Sequence, residues 1–416
     1  MNSWSTVFLP PIDSRFVLPP LSLKDSASES VVTLPIKDQY SMYVCGITPY
    51  DATHLGHAAT YLTFDLVNRY LSAMGKKVNF VENVTDVDDP LLERAKRDGV
   101  DWEDLAHSQI DLFRGDMSDL HVIPPQSYIG AIEAIPLIVE AIEELQSSDT
   151  VYSVDGDLYF QVNADEKFGT RSNLSREKML TIFAERGGDP SRQGKKDPLD
   201  ALVWLLNRPG EPSWPSPFGA GRPGWHIECC AIAMAYLPLD SISEHMIDIQ
   251  GGGSDLLFPH HEMGAAQSRI LGKKDYARIY MYAGMIGLDG EKMSKSKGNL
   301  VLVSKLINQG HDPMAIRIAL LSQKYSLDRM WHESLLKDAT HLLRTLALLL
   351  SRPEVAPTDW VIQEIINALS NDLDTPRAFA AIELWCEQTT VLASGAPTGS
   401  PGELARALDL LLGIAI

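Results

Sequence analysis

The sequence predicts an α/β protein: a Rossmann-like parallel-sheet domain with an inserted α+β subdomain, followed by a C-terminal α-helical bundle. Three observations carry that expectation. Residues 40 to 99 alternate β-rich runs with stretches of helical spacing, the pace of a parallel sheet. A helical stretch and an Asp-Gly hairpin then interrupt the alternation, and after Gly298 the apolar spacing is almost wholly helical.

Taken in order, "LPPIDSRFVLPPLSL" reads as extended coil or edge strand, because proline removes amide donors, and residues 1–34 are expected as an N-terminal extension. "YSMYVCGI" has the composition of a buried strand, and "HAATYLTFDLVNRYLSAMG" that of a helix ending at Gly75. "KKVNFVENVT" is a second strand, and "DDPLLERAKRDG" a helix opened by acids and Pro90 and closed by Gly99, completing a first half-domain over 35–124. "SYIGAIEAIPLIVEAIEELQSS" reads as helix and "TVYSVDGDLYFQV" as hairpin, giving an insertion over 125–197. In the second half, 198–298, "GWHIECCAIAMAYL" precedes "MIDIQGGGSDLLFPHHE", read as strand, glycine loop and helix start. A helical stem and short bundle fill 299–416.

Composition removes several function classes. A chain of 416 residues, 45% hydrophobic and 22% charged, is globular and long enough for more than one packed unit. The net charge of -19 repels a phosphate backbone, so no nucleic-acid partner is expected without a local basic patch. No apolar run reaches the length of a membrane span and prolines precede the first basic residue, Arg15, so no membrane association and a cytoplasmic location are expected. Four cysteines, Cys45, Cys229, Cys230 and Cys386, are too few for a disulfide framework, which leaves metal, nucleophile or core roles.

"HLGH", residues 54–57, falls where a strand loop enters a helix, and free backbone N–H groups there favour anions. His54 and His57 can donate to phosphate oxygens, while Gly56 leaves room for a flat base; two surface histidines at a helix start fit the same letters. "KMSKS", residues 292–296, places Lys292 and Lys295 in a Gly- and Ser-rich loop, where ammonium groups would neutralise a leaving pyrophosphate. The two motifs in this order, either side of a parallel-sheet pattern, resemble the signatures of class I aminoacyl-tRNA synthetases.

Cys45, Cys229, His260, His261 and Glu262 offer the donors Zn2+ prefers, though their spacing alone establishes no site. "CGITPYDATHLGH", "WHIEC" and "DIQGGGSDLLFPHHE" stand where cysteinyl-tRNA synthetases carry zinc ligands, and that resemblance implies one Zn2+ per chain on Cys45, Cys229 and His260. Three protein ligands leave a fourth position for a thiolate, which implies L-cysteine as substrate, with ATP bringing Mg2+. Cys230 and Cys386 read as core.

The chain departs from those synthetases at two places. Gly264 occupies the position of a further glutamate ligand, and residues 297–416 carry 10 Lys+Arg against 13 Asp+Glu, unlike an anticodon reader. "CGITPYDATHLGHAATY", "ERGGDPSRQGKKDPLDALVW" and "NRPGEPSWPSPFGAGRPGWHIEC" resemble instead the mycothiol ligase family, L-cysteine:1D-myo-inositol 2-amino-2-deoxy-α-D-glucopyranoside ligases. The resemblance is dense from about residue 40 to 300. It implies cysteinyl-adenylate binding by Cys45, Gly46, Ile47 and Thr48, by Thr60, by Asn83, Val84 and Thr85, and by Trp225, Gly253, Ser254, Asp255 and Ile286. Trp225 and Ile286 fit a core role equally well, and the run from Gly251 fits close backbone approach to a ligand. The implied reaction is AMP-forming transfer of cysteine to the amine of glucosaminyl-inositol by a monomer; a truncated cysteinyl-tRNA synthetase is the alternative.

Overall fold

The structure is a computed structural model that describes residues 1–50, 53–288, 290–293 and 299–416. Its centre is a sheet of five parallel strands in the order Asp275–Ala283, His245–Gly253, Gln39–Val44, Lys77–Val84, Ser127–Gly130. Alternation along each strand sends side chains to two cores. Met42, Val44, Phe80, Ile249 and Met281 join the helix Leu55–Ala73 and the C-terminal helices, while Tyr43, Val81, Met246 and Tyr280 join the helices on the opposite face. A sheet covered on both faces explains why its strands read as near-continuous apolar runs rather than alternating ones.

The helix Leu55–Ala73 follows the strand Gln39–Val44, and the helices Asp89–Asp98 and Trp102–Asp119 follow Lys77–Val84. The second of these is capped at both ends as its letters suggest: the Asp88 side chain accepts from Asp89 N–H, and Gly99 closes it in the left-handed region at φ 67°. "SYIG" proves to be an edge strand, Ser127–Gly130, and only from Ala131 does the helix Ala131–Ser147 begin. The β-prone Tyr-Ile pair gains a ladder partner in Val81 to Val84, which the local pattern does not reveal.

A second, antiparallel sheet joins Val151–Val154, Asp157–Phe160, Ala201–Leu206 and Gly221–Pro223. Its hairpin turns at Asp155 and Gly156, both at positive φ as an Asp-Gly turn of this kind requires. Two of its strands precede residue 197 and two follow it.

The N-terminal segment is packed rather than loose. Trp4 is buried and its indole N–H donates to Val122 O at 2.8 Å. The hairpin Ser22–Asp25 and Ser30–Thr33 docks on the free edge of the central sheet, where Ser26 N donates to Tyr280 O at 3.0 Å and Asp25 accepts from Tyr280 N at 2.9 Å. An edge strand with open amides is thereby covered.

Beyond Asn299, helices Val303–Asn308, Pro313–Leu321, Glu333–Leu350, Asp359–Ser370, Thr375–Thr390 and Pro401–Leu412 form the C-terminal part. A fully buried ion cluster fastens them to the sheet domain: Asp65 accepts from Arg69 Nε at 2.7 Å and from Arg317. Those two guanidiniums also cap the carbonyls of Asp409 and Leu412 at the last helix. Burial would raise the Asp65 carboxyl, and Arg69 and Arg317 outweigh it, holding it below the usual carboxylate range.

Candidate active site

Sheet order reverses between Gln39–Val44 and His245–Gly253, and open parallel sheets bind ligands beyond the strand ends at such a switch. Cys45 follows the first of these strands, and its amide donates to Gly251 O at 3.1 Å. Cys229 lies early in the helix Trp225–Tyr236, and His260 and His261 end the turn that leads into the helix Glu262–Gly272.

These four side chains converge. Cys45 Sγ lies 3.7 Å from Cys229 Sγ and 3.1 Å from His261 Nε2, and His260 Nε2 lies 3.2 Å from Cys229 Sγ. Cys45, His260 and His261 each place a donor atom within 4.8 Å of the others. The expected trio Cys45, Cys229 and His260 is therefore together, with His261 as a fourth member. Burial pushes His261 down to about 3 and His260 well below its usual value, helped by His226 and His261 nearby, so both imidazoles are neutral with a lone pair to offer. Burial beside Cys45 raises the Cys229 thiol.

A surrounding layer orients the cluster. Trp225 stacks on the His260 ring at 4.3 Å, and His226 Nδ1 meets His260 Nδ1 at 3.2 Å. Gln250 Nε2 lies 3.1 Å from His261 Nε2, while Tyr282 Oη lies 2.9 Å from His261 Nδ1. Two thiols and two neutral imidazoles with their outer ring atoms engaged are a donor set that fits Zn2+. Glu262 turns away: its carboxylate accepts from Arg171 Nη1 at 3.0 Å and from Ser172 N at 2.8 Å. Gly264 lines the same small cavity as the cluster, and a Cβ there would meet only His226 O, at 3.8 Å. Cys230 faces Ser268, whose hydroxyl meets its sulfur at 3.0 Å, and Cys386 is buried in the C-terminal helices.

The remaining expected residues are spread over several elements near the strand ends. His54 caps the helix Leu55–Ala73, its Nδ1 accepting from Gly56 N at 3.0 Å, which fixes the ring proton on Nε2; the His57 ring stacks on it at 3.8 Å. Gly46 N and Tyr43 Oη both donate to Asn83 Oδ1, at 2.9 and 3.0 Å, and Thr85 N donates to Ile47 O at 3.0 Å. These bonds knit Cys45 to Thr48 against Asn83 to Thr85, with Val84 fully buried. Glycine is required at 46, since a Cβ would stand 1.5 Å from Asn83 O. Thr60 donates to Gly56 O at 3.1 Å and faces Gly253, whose added Cβ would lie 3.8 Å from it.

The glycine run is not a loop. Gly251 to Gly253 continue the strand His245–Gly253 and pair in register with Met281 to Ala283. A Cβ on Gly251 would lie 2.3 Å from the Phe64 ring, so that glycine serves helix packing. Ser254 and Asp255 follow in a single turn, Ser254–Leu256. Ile286 is buried in the short strand Ile286–Leu288.

Lys292 lies on the strand Glu291–Lys292, paired with Gly287, and Lys295 lies outside the described residues. The chain beyond that loop returns to "HLGH": Leu55 N donates to Val301 O at 2.9 Å and Val303 N to Thr53 O at 3.2 Å. Residues 301–303 thus pair antiparallel with residues 53–55 at the start of that motif.

"ERGGDP" ends the helix Arg176–Glu185, and Arg186 reaches across to donate to the carbonyls of Asp255 and Phe258. That tie was not legible in the letters, nor were Gln250, Tyr282 and His226 as neighbours of the cluster. Glu228, buried to 2% exposure, has one carboxylate oxygen without a hydrogen-bond partner among the described residues, and burial raises it well above its usual value.

Comparison with known proteins gives the family and the fold. The model of the class I (C) tRNA synthetase catalytic domain matches residues 32–341. Ligases named L-cysteine:1D-myo-inositol 2-amino-2-deoxy-alpha-D-glucopyranoside ligase are 54% identical in Kribbella flavida and 52% in Thermomonospora curvata, each over 95% of both chains. The one from Nocardia farcinica is 51% identical over all of both chains. Among solved structures, the Mycobacterium tuberculosis methionyl-tRNA synthetase with methionyl-adenylate shares the fold at 15% identity, with TM-score 0.62 over 91% of this chain and 89% of that one. By sequence over its whole length and by fold, the chain belongs to the L-cysteine:1D-myo-inositol 2-amino-2-deoxy-α-D-glucopyranoside ligase family, built on a class I synthetase catalytic domain.

Proposed function

We propose that the protein joins L-cysteine to the amine of glucosaminyl-inositol at the expense of ATP, through cysteinyl-adenylate. The observation that carries this reading is the convergence of Cys45, Cys229, His260 and His261 at the strand end that leads directly to His54 and His57. The names of the family members support the choice of substrates.

In the first step a cysteine carboxylate oxygen attacks the α-phosphorus of ATP, and the bond to pyrophosphate breaks. His54, with its proton on Nε2, and His57 donate to phosphate oxygens at the helix start, and Lys292 and Lys295 neutralise the departing pyrophosphate. ATP brings its Mg2+. Cys45 to Thr48, Thr60, Asn83 to Thr85, Trp225, Gly253 to Asp255 and Ile286 hold the adenylate. Cys45, Cys229 and His260 would hold one Zn2+, which supplies a coordination position selective for a thiol over a hydroxyl. In the second step the sugar amine attacks the cysteinyl carbonyl carbon; the amide bond forms, the bond to AMP breaks, and the amine gives up a proton.

The division into an N-terminal extension, a sheet domain with its insertion, and a helical stem and bundle follows from this reading. So does action as a monomer in the cytoplasm without nucleic acid; among the described residues no helix is long and apolar enough to cross a membrane. A coupled assay tests the whole. Pyrophosphate release should need cysteine and ATP, and AMP release should follow glucosaminyl-inositol, with one zinc per chain measured on the same sample. Equal AMP release on tRNA would make the protein a truncated cysteinyl-tRNA synthetase instead.

A further inference from the structure

Tyr282 joins the Cys/His cluster to a second cavity. Its hydroxyl meets His261 Nδ1 at 2.9 Å, and the same residue lines a cavity of about 120 Å³. Lys24 and Ser26 from the N-terminal hairpin, Ser254 from the turn after the glycine run, and Tyr325 and Ser326 from the segment before the strand Arg329–Trp331 complete the polar walls. Leu257 supplies an apolar patch.

We propose that this cavity is the subsite for the second ring of the acceptor, the uncharged, hydroxyl-bearing inositol of glucosaminyl-inositol. The inference rests on the ligase reading above. Five lining residues carry hydroxyls and Lys24 adds a donor, with Tyr325 Oη, its proton given to Asp372, left to accept; this suits a ring bearing a hydroxyl on every carbon but the linked one. No lining residue is acidic, so a cationic ligand finds no counter-charge. Leu257 suits the C–H face of a saturated ring.

The walls are fixed in advance. Asp372 Oδ1 accepts from Lys24 N at 2.8 Å and from Tyr325 Oη at 2.5 Å, while its other oxygen pairs with Lys324 Nζ at 2.9 Å. One carboxylate of the C-terminal part thus sets two walls, and little ordering remains for a ligand to impose. The location suits a two-ring acceptor: a single imidazole, that of His261, separates Tyr282 Oη from Cys45 Sγ, and Ser254 belongs to the run proposed to hold the adenylate. An amine placed at the cysteinyl carbonyl leaves the attached ring to fill this space.

The test uses the full chain with Lys24→Met and Ser326→Leu, one removing a donor and one filling the cavity. Cysteine-dependent exchange of pyrophosphate into ATP should stay within twofold of the unaltered protein, and AMP release with free glucosamine should be unchanged. The KM for glucosaminyl-inositol should rise at least tenfold, so that preference over glucosamine collapses. A rise in the KM for ATP with glucosaminyl-inositol unaffected, or no change in any constant, overturns the subsite while leaving the ligase reading intact. An unaltered protein that activates cysteine yet passes it to no amino sugar overturns both.

Discussion

His261 Nε2 stands 3.1 Å from Cys45 Sγ although the two residues lie 216 positions apart. His261 is held from both sides, by Gln250 at Nε2 and Tyr282 at Nδ1, whereas His260 turns its Nε2 to Cys229. We expect His261, with Gln250 on the nitrogen that would face a metal, to orient the cluster while Cys45, Cys229 and His260 hold the ion. Zinc content should therefore fall well below one per chain in Cys45→Ala, Cys229→Ala and His260→Ala and persist in His261→Asn, with cysteine KM raised about 10–100-fold as for outer-layer partners. Loss of zinc from His261→Asn would assign the ligands to Cys45, His260 and His261 instead.

Gly46→Ala tests the knitting of the strand ends. The added carbon would fall 1.5 Å from the backbone oxygen of Asn83, which no rotamer change relieves. Overpacking of this kind costs about 1–3 kcal/mol or more. Thermal melting should show a clear drop, and cysteine-dependent pyrophosphate exchange should fall at least a hundredfold; near-normal exchange would mean the two segments part freely.

Asp65→Asn should separate the C-terminal helices from the sheet domain. It leaves Arg69 and Arg317 buried with carbonyls and the more distant Asp409 carboxylate as remaining partners, and breaking a buried ion cluster costs about 3–5 kcal/mol. Because the folded carboxyl sits below its unfolded value, its contribution is full above the unfolded pKa, about 3.9, and is lost as pH falls through the folded one. Urea unfolding should show a large loss at pH 7 that shrinks on acidification; an equal loss at all pH values would remove the charge argument.

Asp116 has the opposite sign. Burial, with Asp119 nearby, pushes its carboxyl up to about 7. The folded protein then binds the proton more tightly than the unfolded chain, so its contribution is full below about pH 4 and declines until about pH 7. Asp116→Asn should raise Tm at pH 8 relative to the unaltered protein and change it little at pH 4. A uniform shift would mean packing, not titration, governs the site.

Short-range pattern made much of this protein legible. The strand and helix runs around Cys45 and Val84, the caps at Asp88 and Gly99, the Asp-Gly turn at 155–156 and the motif residues His54 and His57 each rest on neighbours within a turn or a pleat, where side-chain periodicity and backbone preference act directly. The cysteines and histidines were visible as chemistry but not as a cluster.

Strand order decided the rest. Pairing of His245–Gly253 with Gln39–Val44 brings Gln250 and His261 to Cys45, turns the glycine run into a strand end that accepts Phe64, and makes an edge strand of "SYIG". Docking of the N-terminal hairpin and of Asp372 then shapes the second cavity. By itself the sequence determined which residues can bind a thiol, a phosphate and a metal; the tertiary structure decided which of them meet, because contact across hundreds of residues depends on sheet topology and burial, and neither leaves a period in the chain.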